Sequence, residues 1–226
     1  MNAPGRRPSR LASLAPQGDG DRKTRSSMSP PTLYYVRHGL TDWNVTGRLQ
    51  GQHDIPLNEH GRVQAVRSAD ILRDLFARDG RTPADFDYVS SSLVRASETM
   101  DIMRKELGLA PAGYRLEPRL AEIAFGEWEG LSYDDVLKRD PDIVAAREGN
   151  KWRFLPPGGE SYEQLARRVG AWHATLTRDT VVSAHGGTAR ALIGVLGIEP
   201  PEQAAHCPID QGVVYVFAGN TLTRYA

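Results

Sequence analysis

The chain has one cysteine, no excess of either charge and no long apolar run, and each absence removes a class of protein. With Cys207 alone, neither an intrachain disulfide nor a cysteine-based zinc site can form. That suits a reducing cytosol, so the protein is expected to be cytoplasmic with Cys207 a buried spectator thiol. Basic and acidic residues number 28 each, and bulk charge therefore draws the chain neither to nucleic acid nor to a membrane surface. Apolar runs such as ALIGVLGI are far shorter than the roughly 20 residues of a membrane helix. The patterns HExxH, His-x-His, GxxxxGK[ST], GxGxxG and GxSxG are all missing, which disfavours zinc hydrolysis, phosphate-loop or dinucleotide binding, and an elbow-type serine hydrolase. No metal and no cofactor is expected.

What is present reads as one domain. The 226 residues are 40% apolar and 25% charged, ordinary for a soluble protein with a sizeable core. The first residues differ, being rich in Arg, Pro, Gly and Ser and poor in large apolar side chains, and residues 1–31 are expected to be a disordered tail ahead of a domain at 32–226. Within that tail Met28 offers a second reading, a start codon assigned too far upstream.

From residue 32 onward, short β-branched or aromatic runs alternate with longer amphipathic segments, the punctuation of an α/β protein. The strand candidates are LYYVR (33–37), FDYVSSS (86–92), YRLEP (114–118), DTVVSAH (179–185) and GVVYVFA (212–218). TLTRY behind Gly219-Asn220 predicts a terminal hairpin. This hairpin either covers the sheet edge or pairs with a second subunit as a homodimer. Helices are predicted over 58–80, where Val63, Val66, Ala69, Ile71, Leu72 and Leu75 recur near a 3.6 period before Gly80. Others are predicted over 93–108, over 161–176 and in TARALIGVLG. Residues 132–158 are less regular and read as an excursion from the core.

Chemistry gathers at the strand ends. VRHG and SAHGG each place a histidine, His38 and His185, where an apolar strand gives way to glycine, and the carboxyl ends of strands in an open α/β sheet are where ligands bind. Gly39 and Gly186 are expected to let backbone approach a ligand closely. Behind His185 a helix begins, whose N-terminus favours an anion. A third strand end, SSSLVRASET, is expected to use a serine as helix cap and puts Arg95 in the first turn, against the macrodipole. Either an anionic ligand or a salt bridge to Glu98 would compensate. Glu122, Glu127 and Glu129 in RLAEIAFGEWEG are candidate acids. His53, His60, His173 and His206 are scattered and taken as structural or exposed.

As a set, RHGLTDWN (37–44), GRLQGQHDIPLNEHG (47–61), SSSLVRASET (90–99), LAEIAFGEWEG (120–130) and SAHGGTAR (183–190) resemble the histidine phosphatase superfamily, also called phosphoglycerate-mutase-like. The resemblance implies a three-layer α/β/α fold with a mostly parallel sheet. It implies His38 as a nucleophile that becomes a phosphohistidine. Arg37, Arg95 and His185 would hold the phosphate oxygens, Asn44 would bond them, and Glu122 would serve as acid and base. Thr41 and Gln50 fall where polar pocket residues are expected, Gly186 where a backbone donor is, and Glu127 and Glu129 where the loop is shaped. For His38 to attack while neutral, its other ring nitrogen should donate to a backbone carbonyl. One departure is Leu40, where many members carry Glu or Gln.

AEIAFGEWEGLSYDD also differs from the corresponding stretch of glycolytic mutases, and the lysine expected after the glycine loop is missing. The resemblance therefore favours a metal-independent phosphomonoesterase acting on small phosphorylated metabolites. A bisphosphoglycerate-dependent mutase and a non-catalytic phosphate-binding member are the alternatives. Arg147, Lys151, Trp152, Arg153 and Phe154 would form a cationic and aromatic lid, or else a solvated edge with a packing tryptophan.

Overall fold

The computed structural model describes residues 30–226; the tail expected over 1–31 lies almost wholly outside the described residues. A six-stranded sheet carries the domain, with strands β1 (Leu33–Arg37), β2 (Asp87–Ser90), β3 (Arg115–Leu116), β4 (Thr180–Ala184), β5 (Val214–Ala218) and β6 (Thr221–Tyr225) in the order β3-β2-β4-β1-β5-β6. The first four run parallel, while β5 is antiparallel to β1 and closes the terminal hairpin with β6. A strand forms at each of the six expected places, but YRLEP is strand only at Arg115–Leu116, since Pro118 opens a 3-10 turn capped by Glu117.

Alternation along β1 explains the layering. Leu33 and Tyr35 point into one core with Val182, Ala184, Tyr215 and Phe217, and Tyr34 and Val36 point into the other with Val181 and Val214. Successive strand side chains face opposite ways, and every residue from Leu33 to Val36 is buried, so both faces must be covered. Helices α2 (Glu59–Arg78) and α3 (Val94–Glu106) supply Leu72, Phe76, Met100 and Met103 to one face. Helices α6 (Tyr162–His173) and α7 (Gly186–Val195) supply Leu165, Val169, Trp172 and Leu192 to the other.

The periodicity expected of α2 needs correction at its start. Val63 is 64% exposed, and the buried face runs instead through Ala65, Ser68, Ala69, Leu72, Leu75 and Phe76. Two residues are about 200° apart on a helix at 3.6 per turn, so a face centred on Ala65 leaves Val63 outside. The helix ends as expected, with Gly80 at φ +65 behind the C-cap Asp79.

The excursion is more ordered than its pattern suggests. It forms two short helices, α4 (Tyr133–Arg139) and α5 (Pro141–Gly149), over a satellite cluster of Trp128, Val136 and Val144. Trp152 leaves that cluster for the main core: its indole packs parallel to Tyr162 at 6.0 Å and lies so close to Gly194 that a Cβ there would come within 2.6 Å of it. Phe154 stacks on Trp128, and Arg153 is exposed. Of the lid expected from this stretch, the aromatic half is packing. Among the described residues no helix is long and apolar enough to cross a membrane.

Candidate functional site

Three adjacent parallel strands bring the chemistry together. In the β1–β4 register Arg37 lies opposite Ala184 and His38 N–H donates to the Ala184 carbonyl at 2.9 Å, so His38 and His185 leave neighbouring strands at the same level. On the other side of β4, Ser90 lies opposite Ser183, and the chain turns through Ser91 into α3 and Arg95. The two ring centroids stand 5.1 Å apart. Spacings of 147 residues in sequence become one turn of chain in space.

His38 is buried, and its Nδ1 donates to the Gly39 carbonyl at 2.7 Å. A carbonyl can only accept, so this bond puts the ring proton on Nδ1 and leaves the Nε2 lone pair free. Burial, and then the positive charges of Arg95 and Arg37, hold the ring well below the usual histidine range. Gln211 donates from Nε2 to the His38 carbonyl at 2.9 Å and to Asn44 Oδ1 at 3.2 Å.

His185 is fully buried and is likewise pushed to the neutral form by burial and by Arg95, His38 and Arg37. Its Nε2 lies 2.8 Å from the Ser91 hydroxyl, which also accepts the Leu93 N–H at 3.3 Å. Nδ1 has no partner. Among the described residues four buried side-chain nitrogen or oxygen atoms lack one, and three are Arg37 Nε, Arg95 Nε and His185 Nδ1. Buried polar groups are nearly always paired, so three partnerless nitrogens around the His38 ring mark a place built for acceptor oxygens. Three other guanidinium nitrogens anchor the two arginines: Arg37 Nη1 donates to the Ile209 carbonyl, and Arg95 Nη1 and Nη2 donate to those of His53 and Gly51, each at 2.7 Å.

Glu122 reaches the same place from the loop after β3. Its Oε1 accepts from Ile123 N–H at 2.9 Å and its Oε2 from Gly187 N–H at 3.2 Å, in the first turn of α7. Arg168 clamps this loop. Nη1 donates to the Arg119 carbonyl at 2.7 Å and Nη2 to the Glu122 carbonyl at 3.1 Å, while Glu160 holds the guanidinium on both oxygens.

These groups surround a cavity of about 170 Å³ lined by Arg37, His38, Asn44, Gln50, Arg95, Glu122 and Gly186, and also by Arg48, Leu49, Gly51, Phe125 and Arg190. His185 lies behind it, with no surface of its own in the lining. Thr41 is not brought to the cavity: fully buried, its hydroxyl caps the short helix α1 (Asp42–Val45) and donates to Gln50 Oε1 at 3.0 Å, so it positions pocket residues without lining the pocket. Gly39 also has a different reason from the one expected. A Cβ there would stand 2.2 Å from the Gly61 carbonyl oxygen, so packing against the start of α2 demands the glycine, not a ligand. No serine caps α3 at its N-cap position, which is Leu93; Asp54 accepts the Val94 N–H instead. Arg95 does not pair with Glu98, which binds Arg62.

Glu129 ties loops together by accepting from Gln52 and Phe125 N–H, whereas Glu127 is exposed. Cys207 is half-buried, not buried, and its carbonyl accepts from Arg190 Nε. Arg168, Arg190 and Gln211 had no assigned role in the sequence, and Ser91 only that of a possible helix cap. Ser91 and Arg190 at least fall inside motifs, whereas Arg168 and Gln211 fall outside all of them; each acts through a bond to a residue 46 or more positions away or through the cavity wall. A larger groove of about 640 Å³ beside β2 and β3, lined by Tyr88, Arg104 and Tyr114, brings none of the strand-end histidines together. Among the described residues no three His, Cys, Asp or Glu side chains cluster as a metal-ligand set.

The family model described as histidine phosphatase superfamily (branch 1) matches residues 33–221. The chain is 36% identical over 178 residues to glucosyl-3-phosphoglycerate phosphatase of Mycobacterium tuberculosis, covering 73% of this chain and 74% of that protein. It is 33% identical over 204 residues to 2,3-bisphosphoglycerate-dependent phosphoglycerate mutase of Methylobacterium radiotolerans, covering 86% and 92%. Among solved structures, mycobacterial glucosyl-3-phosphoglycerate phosphatase in complex with VO3 superposes with a TM-score of 0.71 at 30% identity, over 86% of this chain and 96% of that one.

Proposed function

The chain belongs to the histidine phosphatase superfamily (branch 1), whose relatives found here are phosphatases and mutases, and from that premise we propose that it is a phosphomonoesterase working through a phosphohistidine on His38. The observation that carries this reading is the ring of three partnerless buried nitrogens, Arg37 Nε, Arg95 Nε and His185 Nδ1, around a histidine whose Nδ1 is bonded to Gly39. Phosphoryl transfer asks mainly for positioning and for charge stabilisation on the oxygens. The cradle offers both without a metal.

In the first step the Nε2 lone pair of His38 forms the N–P bond as the P–O bond to the leaving group breaks. Glu122, protonated, delivers its proton to the departing oxygen. Water then enters, Glu122 as carboxylate takes a proton from it, and the new O–P bond displaces His38, releasing inorganic phosphate and returning the proton to Glu122. Arg37, Arg95 and His185 hold the phosphoryl oxygens throughout, with Asn44, Gln50 and the Gly186 backbone on the rim. Hydrolysis is favoured over group return because the GEWEG loop departs from the mutase pattern and its lysine is missing.

The test is hydrolysis of an aryl phosphate in EDTA by the full chain and by His38→Ala. Activity is expected in the first and none in the second, and full activity in the variant refutes the reading. The 33% identity to a mutase supports a second reading, checked by incubating 3-phosphoglycerate with and without 2,3-bisphosphoglycerate. Rapid formation of 2-phosphoglycerate would replace hydrolase with mutase.

A further inference from the structure

Residues 207–212, in the chain just before β5, belong to none of the sequence motifs, yet three of them reach groups that line the cavity. The Cys207 carbonyl accepts from Arg190 Nε at 2.8 Å and the Ile209 carbonyl from Arg37 Nη1 at 2.7 Å. The segment is itself fixed: Ile209 and Val213 are buried in the main core, and Asp210 N–H donates to the Tyr215 hydroxyl at 2.7 Å. Its third contact is made by a side chain, that of Gln211.

Gln211 Nε2 lies 2.9 Å from the His38 carbonyl oxygen and 3.2 Å from Asn44 Oδ1. A backbone carbonyl can only accept, so the amide must present its NH2 there and not its oxygen. Both N–H groups are then spent, one on each acceptor. Asn44 is constrained in turn. An amide oxygen has two lone pairs, and those of Asn44 Oδ1 are filled by Gln211 and by the Thr41 N–H, each at 3.2 Å. Turning the Asn44 amide over would set its NH2 against two donors. What remains is Nδ2, which has no partner among the described residues, on a side chain that lines the cavity. Its N–H groups are the end free to meet an acceptor there. The Thr41 N–H alone would make Asn44 an ordinary capping partner; the second bond, from a residue 167 positions away, locks the amide.

We infer that Gln211 is a positioning residue of the phosphoryl cradle: the His38 carbonyl orients the Gln211 amide, Gln211 orients that of Asn44, and Asn44 Nδ2 thereby becomes a donor to a phosphoryl oxygen beside Arg37, Arg95 and His185. The inference rests on the phosphomonoesterase reading for what occupies the cradle. It is read out by binding, which does not need turnover.

The experiment is a calorimetric titration of inorganic phosphate into the full chain, comparing wild type, Gln211→Met, Asn44→Ala and the double variant. Gln211→Met keeps the length of the side chain and loses the amide. It is expected to weaken phosphate binding about 10-fold, near the lower end of what a hydrogen bond to a charged group is worth. In the Asn44→Ala background the same substitution should change the affinity by less than about two-fold, because the two residues act as one unit. An equal loss in both backgrounds, or no loss in the first, would overturn the inference, since a side chain that only supports the fold acts whether or not Asn44 is there. A second measurement needs no variant: in nitrogen-labelled wild type, phosphate should shift the Asn44 side-chain NH2 signals. Signals that do not move at millimolar phosphate would overturn the inference equally. Should phosphate bind in this way while no phosphomonoester is hydrolysed, the function reading fails and the role of Gln211 stands.

Discussion

The Ser91 hydroxyl lies 2.8 Å from Nε2 of His185 and accepts the Leu93 N–H at 3.3 Å. Among the described residues no other acceptor takes the Ser91 hydroxyl proton, so the hydroxyl donates it to Nε2, which places the imidazole proton on Nδ1. Nδ1 is the nitrogen without a partner, so Ser91 converts His185 into a donor toward the cradle. Ser91→Ala removes this bias. Its kcat/KM is expected to fall about 10-fold, less than the roughly 100-fold or more lost with a donor that itself touches the reacting oxygens, because Ser91 acts only through His185, with Ser91→Thr recovering most of the loss. The decisive readout is nitrogen NMR of His185, which should shift from the Nδ1-protonated to the Nε2-protonated tautomer in Ser91→Ala. An unchanged tautomer would deny Ser91 this positioning role.

Glu122 and Gly187 are matched by space. The carboxylate accepts the Gly187 N–H, and a Cβ on Gly187 would stand 2.1 Å from Oε1. Gly187→Ala must therefore push the carboxylate aside, and a misplacement near 1 Å costs on the order of 100-fold in rate. The loss should fall on alkyl phosphates, whose leaving oxygen needs the proton, and much less on p-nitrophenyl phosphate, whose leaving group does not. A steady-state comparison of kcat/KM on the two substrates, which reports the step in which the leaving group departs and not the later attack of water, checks this, and equal losses on both would remove Glu122 from the acid role.

Much of this site could be read from the chain because its parts sit at ends of elements. Strands with unbroken apolar runs, such as LYYVR and DTVVSA, are visible whatever packs on them, and a histidine followed by glycine at two such ends stands out locally. Roles carried by a bond across the fold are not local. Thr41 looks like a pocket hydroxyl and is a helix cap; Ser91 looks like a cap and bonds the strand-end His185. Arg168 sits among ordinary helix charges, and only the folded chain shows it clamping the Glu122 loop.

Gly39 makes the same point through stability. Its Cα faces the first turn of α2, where a Cβ would be 2.2 Å from the Gly61 carbonyl oxygen, and the reverse holds for Gly61 against the Leu40 carbonyl at 2.2 Å. Backbone on both sides cannot swing away as a side chain can. Gly39→Ala is expected to lower unfolding free energy by about 2–3 kcal/mol, the upper range for overpacking a tight site, measured by urea denaturation. A stability within about 0.5 kcal/mol of wild type, the range of a neutral surface change, would show that the two segments part easily.

The two depressed histidines also give the fold a pH dependence of known sign. In the unfolded chain each binds a proton near pH 6.5, whereas in the fold burial and the flanking arginines keep His38 and His185 neutral well below that value. Below pH 6.5 the unfolded state thus holds more protons than the folded state, and stability rises with pH. It should level off above about 7 and fall as pH drops toward 5, by about 1.4 kcal/mol per pH unit for each histidine. His173, lowered by burial alone, adds in the same direction. Urea midpoints taken between about pH 5 and 7.5, above most carboxylate titration, read this directly, and His185→Asn should reduce the slope by about one proton. A midpoint flat across that window would mean that both rings protonate as freely in the fold as outside it, and the neutral nucleophile required of His38 would lose its physical basis.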